Sequence, residues 1–340
     1  MVTQVRTTDG TIALANLDAQ IESLELQAGR QPTGRWLGEL VDRLILRGEI
    51  LGRIADYERA AALAEEFGRD EPPDGTVFLA RARTRASLHR FEEALTDLDV
   101  AERLGMAGAE VDADRAAIFQ AVGRYDAATA LRQAAVQRRA DFVTLWGMAA
   151  LHAERGEIDA AEHLFDESRA RFRGVSPFGL AQLDFQRGHM WQEEGDLGRA
   201  QEWLMAAWVR LPFYARAEGH LAEVEAALGE RETATARLTR LSGVSDDPDY
   251  ATQLASILRD DGRLGEAGLW RARAMMRYDE LVARHPAAFA DHSAEFWLTV
   301  GGNPQRALSL ARRNFEVRPT PRAHALLSRA IMACAGGPAA

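Results

Sequence analysis

The sequence predicts an all-α protein built as a solenoid of stacked helix–turn–helix units. Three observations predict it. A short motif recurs with a period near 34 residues along most of the 340-residue chain. The composition is 47% hydrophobic but only 7% aromatic, and rich in alanine, the best helix former, so helices approach closely on small side chains. Apolar residues recur at helical spacing between turns marked by glycine and proline.

The elements follow in order. Residues 12–29 are apolar-periodic and predict a first helix, ended by Gly29 and a turn at Gln31-Pro32-Thr33-Gly34. This segment, 1–40, precedes the repeats. The motif is clearest as Gly-Arg-Tyr-Asp-Ala-Ala from Gly123. It recurs from Gly156, Gly195 and Gly262, and more weakly from Gly229 and Gly302. His89-Arg-Phe-Glu-Glu-Ala and Ala55-Asp-Tyr-Glu-Arg-Ala fit with the glycine replaced. The closing alanines are Ala60, Ala94, Ala128, Ala161, Ala200, Ala234, Ala267 and Ala307, spaced by 34, 34, 33, 39, 34, 33 and 40 residues. A small residue stands seven before the turn position at Gly48, Ala82, Ala116, Ala149, Gly188, Ala222 and Ala255.

Each feature has a physical reason. Glycine at the turn accepts the positive φ of a helix C-cap. Alanine just inside the second helix lets two backbones approach. One helix pair cannot bury its apolar face, so units stack and the core runs along the array. The 39-residue spacing places about five extra residues near Arg173–Pro177, with Ser176 as expected N-cap and Pro177 at the first helical position. The 40-residue spacing predicts a lengthened helix over Gly265–Arg284, stopped by Pro286. Prolines Pro72, Pro212 and Pro319 close repeats, and Asp70–Gly75 reads as a loop between repeats. Residues 322–340 form a capping helix, Thr320 to Ala333 at its widest reading, and a frayed tail.

A period near 34 residues carrying this motif resembles the tetratricopeptide repeat family. The resemblance covers about residues 41–321 in eight copies, and implies a right-handed α-solenoid whose first helices line a concave groove. Arg231 and Pro304 depart from the expected aromatic, and Glu295 and Asn314 from small residues. By register, the groove-lining candidates are Trp146, Gln182, Phe185, His189, Gln192, Glu193, Arg216, Glu223, Asp249, Ser256 and Arg259. Their mixture of amides, acids, arginines and aromatics suits an extended segment bound through its backbone and termini. The family's chaperone-binding groove relies on lysines and asparagines at these positions, and this chain has neither there.

The chain carries 41 basic residues, all arginine, and 51 acidic ones, for a formal net charge of −10. No lysine-based mechanism is available, and general affinity for nucleic acid or an anionic membrane is not expected. Cys334 is the only cysteine, which excludes intrachain disulfides and cysteine-cluster metal sites. No phosphate-binding loop, nucleophile elbow or HExxH occurs. No membrane-spanning stretch and no secretory signal is visible. The expected compartment is therefore the cytoplasm, or the periplasm or exterior for a chain whose signal has been removed.

Histidine is the one residue type to weigh for metal. His189 and Glu193 lie four apart, and His220 and Glu223 three apart on the equivalent helix one repeat later. Such a set offers divalent-ion ligands, but its spacing matches no established motif, so no metal or other cofactor is expected. His285, Asp291, His292, Glu295 and His324 form a second group with the same standing. The sequence thus predicts a non-catalytic adaptor or scaffold that binds a protein or peptide. The alternatives are a metal-dependent protein or enzyme using the His/Glu cluster, and a peptide-sensing regulator. The last wants a basic helix-turn-helix that residues 1–40 do not supply.

Overall fold

The structure, a computed structural model, describes residues 5–30, 34–68 and 74–336. The turn at 31–33, Pro72 with most of the 70–75 loop, and the tail from 337 lie outside the described residues. Among them the chain forms eighteen α-helices and no strand. The first five are α1 (Gly10–Arg30), α2 (Gly34–Leu51), α3 (Ile54–Phe67), α4 (Gly75–Ser87) and α5 (Phe91–Arg103). Then come α6 (Gly108–Ala121), α7 (Tyr125–Arg138), α8 (Phe142–Glu154), α9 (Ile158–Arg171), α10 (Phe178–Glu193) and α11 (Leu197–Arg210). The last seven are α12 (Ala215–Ala227), α13 (Arg231–Val244), α14 (Pro248–Asp260), α15 (Leu264–Arg284), α16 (Ala290–Leu298), α17 (Pro304–Val317) and α18 (Pro321–Ala335). Consecutive helices pack as antiparallel pairs, and each pair packs on the next.

The repeat residues sit where two helices touch. Ala60, Ala94, Ala128, Ala161, Ala200, Ala234 and Ala307 have no exposed surface, and Ala267 retains 6%. The motif glycines Gly123, Gly156, Gly195, Gly229, Gly262 and Gly302 take φ values of 66–90°. His89, which replaces a glycine, takes φ 56°, a conformation uncommon for a side-chain-bearing residue. The first repeat differs from its sequence alignment. Its turn falls at Gly52, φ 61°, not at Ala55, so α3 starts at Ile54 and is extended at its N-terminus. Its partner α2 begins at Gly34, ahead of residue 41. The extra residues near Arg173 go partly into a longer α10, which opens at Phe178 with Pro177 at the N-cap position. Ser176 therefore does not cap it. The lengthened helix α15 runs from Leu264 to Arg284, followed by Pro286.

The solenoid winds tightly enough for successive turns to touch. Ser245 Oγ donates to Gly52 O at 2.5 Å. The Asp246 carboxylate accepts from Ile54 N at 2.6 Å and Ala55 N at 3.1 Å, capping α3 from the next turn. The His89 ring meets Ala287 O at 3.2 Å, and Arg318 Nε donates to Ala121 O at 3.2 Å. These partners lie 191 to 198 residues apart, between five and six 34-residue units. His285 Nε2 and Arg284 both reach Glu58 on the same line. At the N-terminal end, Arg210 Nη1 donates to Val5 O at 3.0 Å, and Thr8 N donates to Val175 O at 2.7 Å. These contacts form a seam that closes the gap between turns. The concave groove expected from sequence thereby becomes a channel bounded by successive turns.

Candidate functional site

Three first helices build one wall of the channel. On α10, Gln182, Phe185 and His189 fall on one face by helical spacing, and on α12 so do Arg216, His220 and Glu223. Asp247 caps α14 by accepting from Asp249 N at 3.0 Å, which brings both carboxyl groups to that helix's inner end. Because the turns touch, α2 and α3 contribute Glu49 and Tyr57 from the start of the chain, and α18 contributes Arg322, Ala325 and Arg329 from its end. Two adjoining cavities of about 700 Å³ and 480 Å³ share His189, Arg216, Glu295, Arg322 and Leu326 in their linings.

Gln182, Phe185, His189, Glu193 and Arg216 line the larger cavity, and His189, Arg216 and Asp249 line the smaller. Trp146 stands behind the wall, its Nε1 donating to Gln186 Oε1 at 2.6 Å. Gln192 and Glu223 join the wall through hydrogen bonds. Gln192 Nε2 donates to Glu223 Oε2 at 2.8 Å, while its Oε1 meets His220 Nδ1 at 2.9 Å. Ser256 and Arg259 line neither cavity; Arg259 turns to Asp260 at 3.1 Å. Phe185, placed on the groove face by register, is only 3% exposed. Arg216 lies over its ring at 4.9 Å, and the Tyr214 and His220 rings meet it edge-on, each with centroids 5.4 Å away. Phe185 is the packed floor of the channel, so its truncation damages the wall as well as any binding.

The histidine set is organised by aromatic contacts and hydrogen bonds. His189 and His220 rings meet edge to face at 4.8 Å. His189 Nε2 stands 3.7 Å from Glu193, and His220 Nδ1 3.4 Å from Glu223. Among the described residues no three His, Cys, Asp or Glu side chains are grouped to hold a metal ion. The second group is dispersed. His285 contacts Glu58, Asp291 pairs with Arg318 at 3.3 Å, Glu295 pairs with Arg329 at 2.7 Å, and His324 rests against Phe315.

Enclosure shifts the titrating groups. Burial, reinforced by Arg322 and Arg216, pushes His189 down to about 3, and burial pushes His89 in the seam down to about 4. Burial next to Asp249 lifts Glu223 to about 7 and Asp247 to about 6. The two sets act oppositely on stability. The histidines bind fewer protons folded than unfolded, so their contribution is full above pH 6.5 and lost as pH falls toward 4. The carboxyl groups bind more protons folded, so their contribution is present at low pH and lost as pH rises through 7. The melting temperature of His89→Asn, an exchange the positive φ tolerates, should therefore gain on wild type as pH falls from 6.5 to 4.5. That of Glu223→Gln should gain on wild type as pH rises from 5 to 8. Parallel profiles for variant and wild type would show that these groups are not enclosed.

The sequence gives no signal for Glu49, Asp247, Arg318 or Arg322 as site residues. They enter only because distant parts of the chain meet across one superhelical turn.

No family model matches the chain, and no curated protein matches it. Solved structures do. A chain of the APC/C hetero-tetramer Cut9–Hcn1 is 14% identical over 87% of this chain, with TM-score 0.51; this chain spans only 55% of its length. A monomeric IFIT1 variant with Gppp-AAAA is 14% identical over 89% of this chain and 76% of its own, with TM-score 0.56. A human IFIT1 dimer with PPP-AAAA is 16% identical, covering 89% and 78%, again at 0.56. Repeat motif, helix-pair packing and these matches agree that the chain is a tetratricopeptide-like α-solenoid.

Proposed function

We propose that this chain is a non-catalytic binding module that encloses an extended peptide segment in its channel. The observation that carries this reading is the seam. A groove open along its length accepts a helix or loop on the face of a folded partner, whereas a channel closed between turns admits only an extended strand or a short free chain. The lining suits such a guest. Amides, arginines and carboxylates alternate with an aromatic floor, so backbone polar groups find partners along the path. The two cavities also fall in the range of roughly 300–1,000 Å³ typical of ligand sites.

The IFIT1 structures hold RNA-type ligands, and the Cut9–Hcn1 chain is part of a protein complex. The channel mixes carboxylates with arginines, which favours a peptide over a polyanion. Glu49, Asp247 and Asp249 line it without an arginine ion pair among the described residues, and each repels phosphate. Among the described residues no helix is long and apolar enough to cross a membrane.

The test separates inside from outside. Ala325 on α18 lines the larger cavity, so Ala325→Trp plugs it without changing a charge. Leu269 is 74% exposed on α15, away from both cavities. Partners captured from the native host should be lost on Ala325→Trp and retained on Leu269→Arg, with circular dichroism unchanged in both. The reverse pattern would place binding on the outer surface.

A further inference from the structure

Two kinds of charge share the channel without meeting. Arg216 has only the Phe185 ring beneath it, and Arg322 forms no ion pair among the described residues. Both guanidiniums act on the same imidazole pair, His189 and His220, so they converge on one region. Acceptors gather toward the start of α14. Asp249 Oδ2 takes a hydrogen bond from Gln253 at 2.9 Å, and its Oδ1 is 4.0 Å from His292. Asp247 stands beside it. Gln253 Oε1 and Asn314 Oδ1 are buried without a donor, although both residues line this cavity, and Asn314 is only 3% exposed.

Opposite charges that line one cavity attract and commonly settle into pairs. The neighbouring Arg318–Asp291 and Arg329–Glu295 pairs do so. Arg216 and Arg322 do not reach Asp247 or Asp249, so two cationic donors and two carboxylates in the cavity lining stay open to a guest. We infer that the channel binds a dipolar ligand, a molecule carrying a free α-ammonium and a free α-carboxylate: the carboxylate lies against Arg216 and Arg322, and the ammonium against Asp247 and Asp249. This inference rests on the enclosed-peptide reading and adds that both ends of the guest are free and inside. A free amino acid and a short free-ended peptide share that chemistry.

Equilibrium dialysis decides it. The probes are a mixed tetrapeptide pool with both ends free, the same pool N-acetylated, C-amidated or blocked at both ends, and a mixture of free amino acids. Retention is read by mass spectrometry against wild type and against Arg322→Met, Arg216→Met and Asp249→Asn, each checked for an unchanged helical spectrum. The free-ended pool should be retained, and blocking either end should weaken it about tenfold or more, as loss of a charge-assisted bond does. Asp249→Asn should abolish the advantage of a free N-terminus alone, and Arg322→Met or Arg216→Met that of a free C-terminus alone. Retention of the amino-acid mixture identifies a small-molecule guest, and retention of peptides only identifies a chain; both uphold the dipolar site. Equal retention of the fully blocked pool overturns the inference while leaving the enclosed-peptide reading intact. Dependence on one end only, or no retention of any probe, overturns it as well, and the Ala325→Trp comparison then judges the broader reading alone.

Discussion

Replacing Asp184 by Asn should be among the most damaging changes the chain can suffer, costing about 3–5 kcal/mol, because it leaves two buried guanidiniums without their shared carboxylate. Asp184 on α10 is fully buried. It accepts from Arg169 on α9, and Arg210 Nε on α11 lies 3.5 Å from its other oxygen. Arg169 and Arg210 retain only 8% and 11% of their side-chain exposure. Burial raises the Asp184 carboxyl pKa despite the two arginines, so the charged triad is itself costly to form. Removing all three charges together should therefore be far milder than removing one. Urea denaturation of Asp184→Asn, and of the triple variant Arg169→Met, Asp184→Leu, Arg210→Met, tests this. A single variant within about 1 kcal/mol of wild type would contradict the cost expected of a broken buried pair. The damage should also reach the seam. Arg210 holds Val5 O, so limited proteolysis should cut near residues 5–9 sooner in Asp184→Asn.

Short-range features of the fold were legible in sequence, and long-range ones were not. The closing alanines announce themselves because a helix–helix contact rejects any larger side chain at that point, whatever the rest of the array does. The turn glycines follow from one dihedral angle. Gly52 escaped because its turn sits three residues ahead of the aligned position Ala55, and no local signal separates a shifted turn from a replaced one. Closure of the seam depends on a small rotation per repeat summed over five to six units. No residue encodes that sum, so contacts such as Gly52 with Ser245 have no sequence signature.

The candidate site shows the same division. Arg216, His189 and Asp249 are placed on the concave face by register alone, which is a local property of α10, α12 and α14. Whether that face is open or enclosed is not local. Register places Phe185 on that face without showing that its neighbours cover it. Arg322 reads as part of a cap, although α18 carries it into the channel. Ser256 and Arg259 share the register of α14 but stand further along the helix, beyond the reach of both cavities.

A pair of glycine-to-alanine exchanges should move stability in opposite directions. In mid-helix, alanine normally improves on glycine by roughly 0.5–1 kcal/mol, because the unfolded chain loses less freedom. Gly268 in α15 is exposed and has nothing within 4 Å of an added Cβ. Gly268→Ala should therefore gain close to that full amount. Gly188 in α10 has the same backbone freedom to lose, but not the space. A Cβ there would stand 2.7 Å from Leu204 Cγ and 2.9 Å from the Leu204 backbone nitrogen. The side chain has room to turn, but the backbone nitrogen belongs to α11 and moves only if that helix moves. Leu204 is fully buried in the apolar cluster that joins α8 to α12, so a shift of α11 disturbs packing on both sides. Overpacking of this kind costs about 1–3 kcal/mol, more than the propensity gain, so Gly188→Ala should lower stability. Melting both variants beside wild type reads the two signs directly. A Gly188→Ala protein as stabilised as Gly268→Ala would mean that α10 and α11 do not touch backbone to backbone, and that the small-residue position of this repeat lies elsewhere.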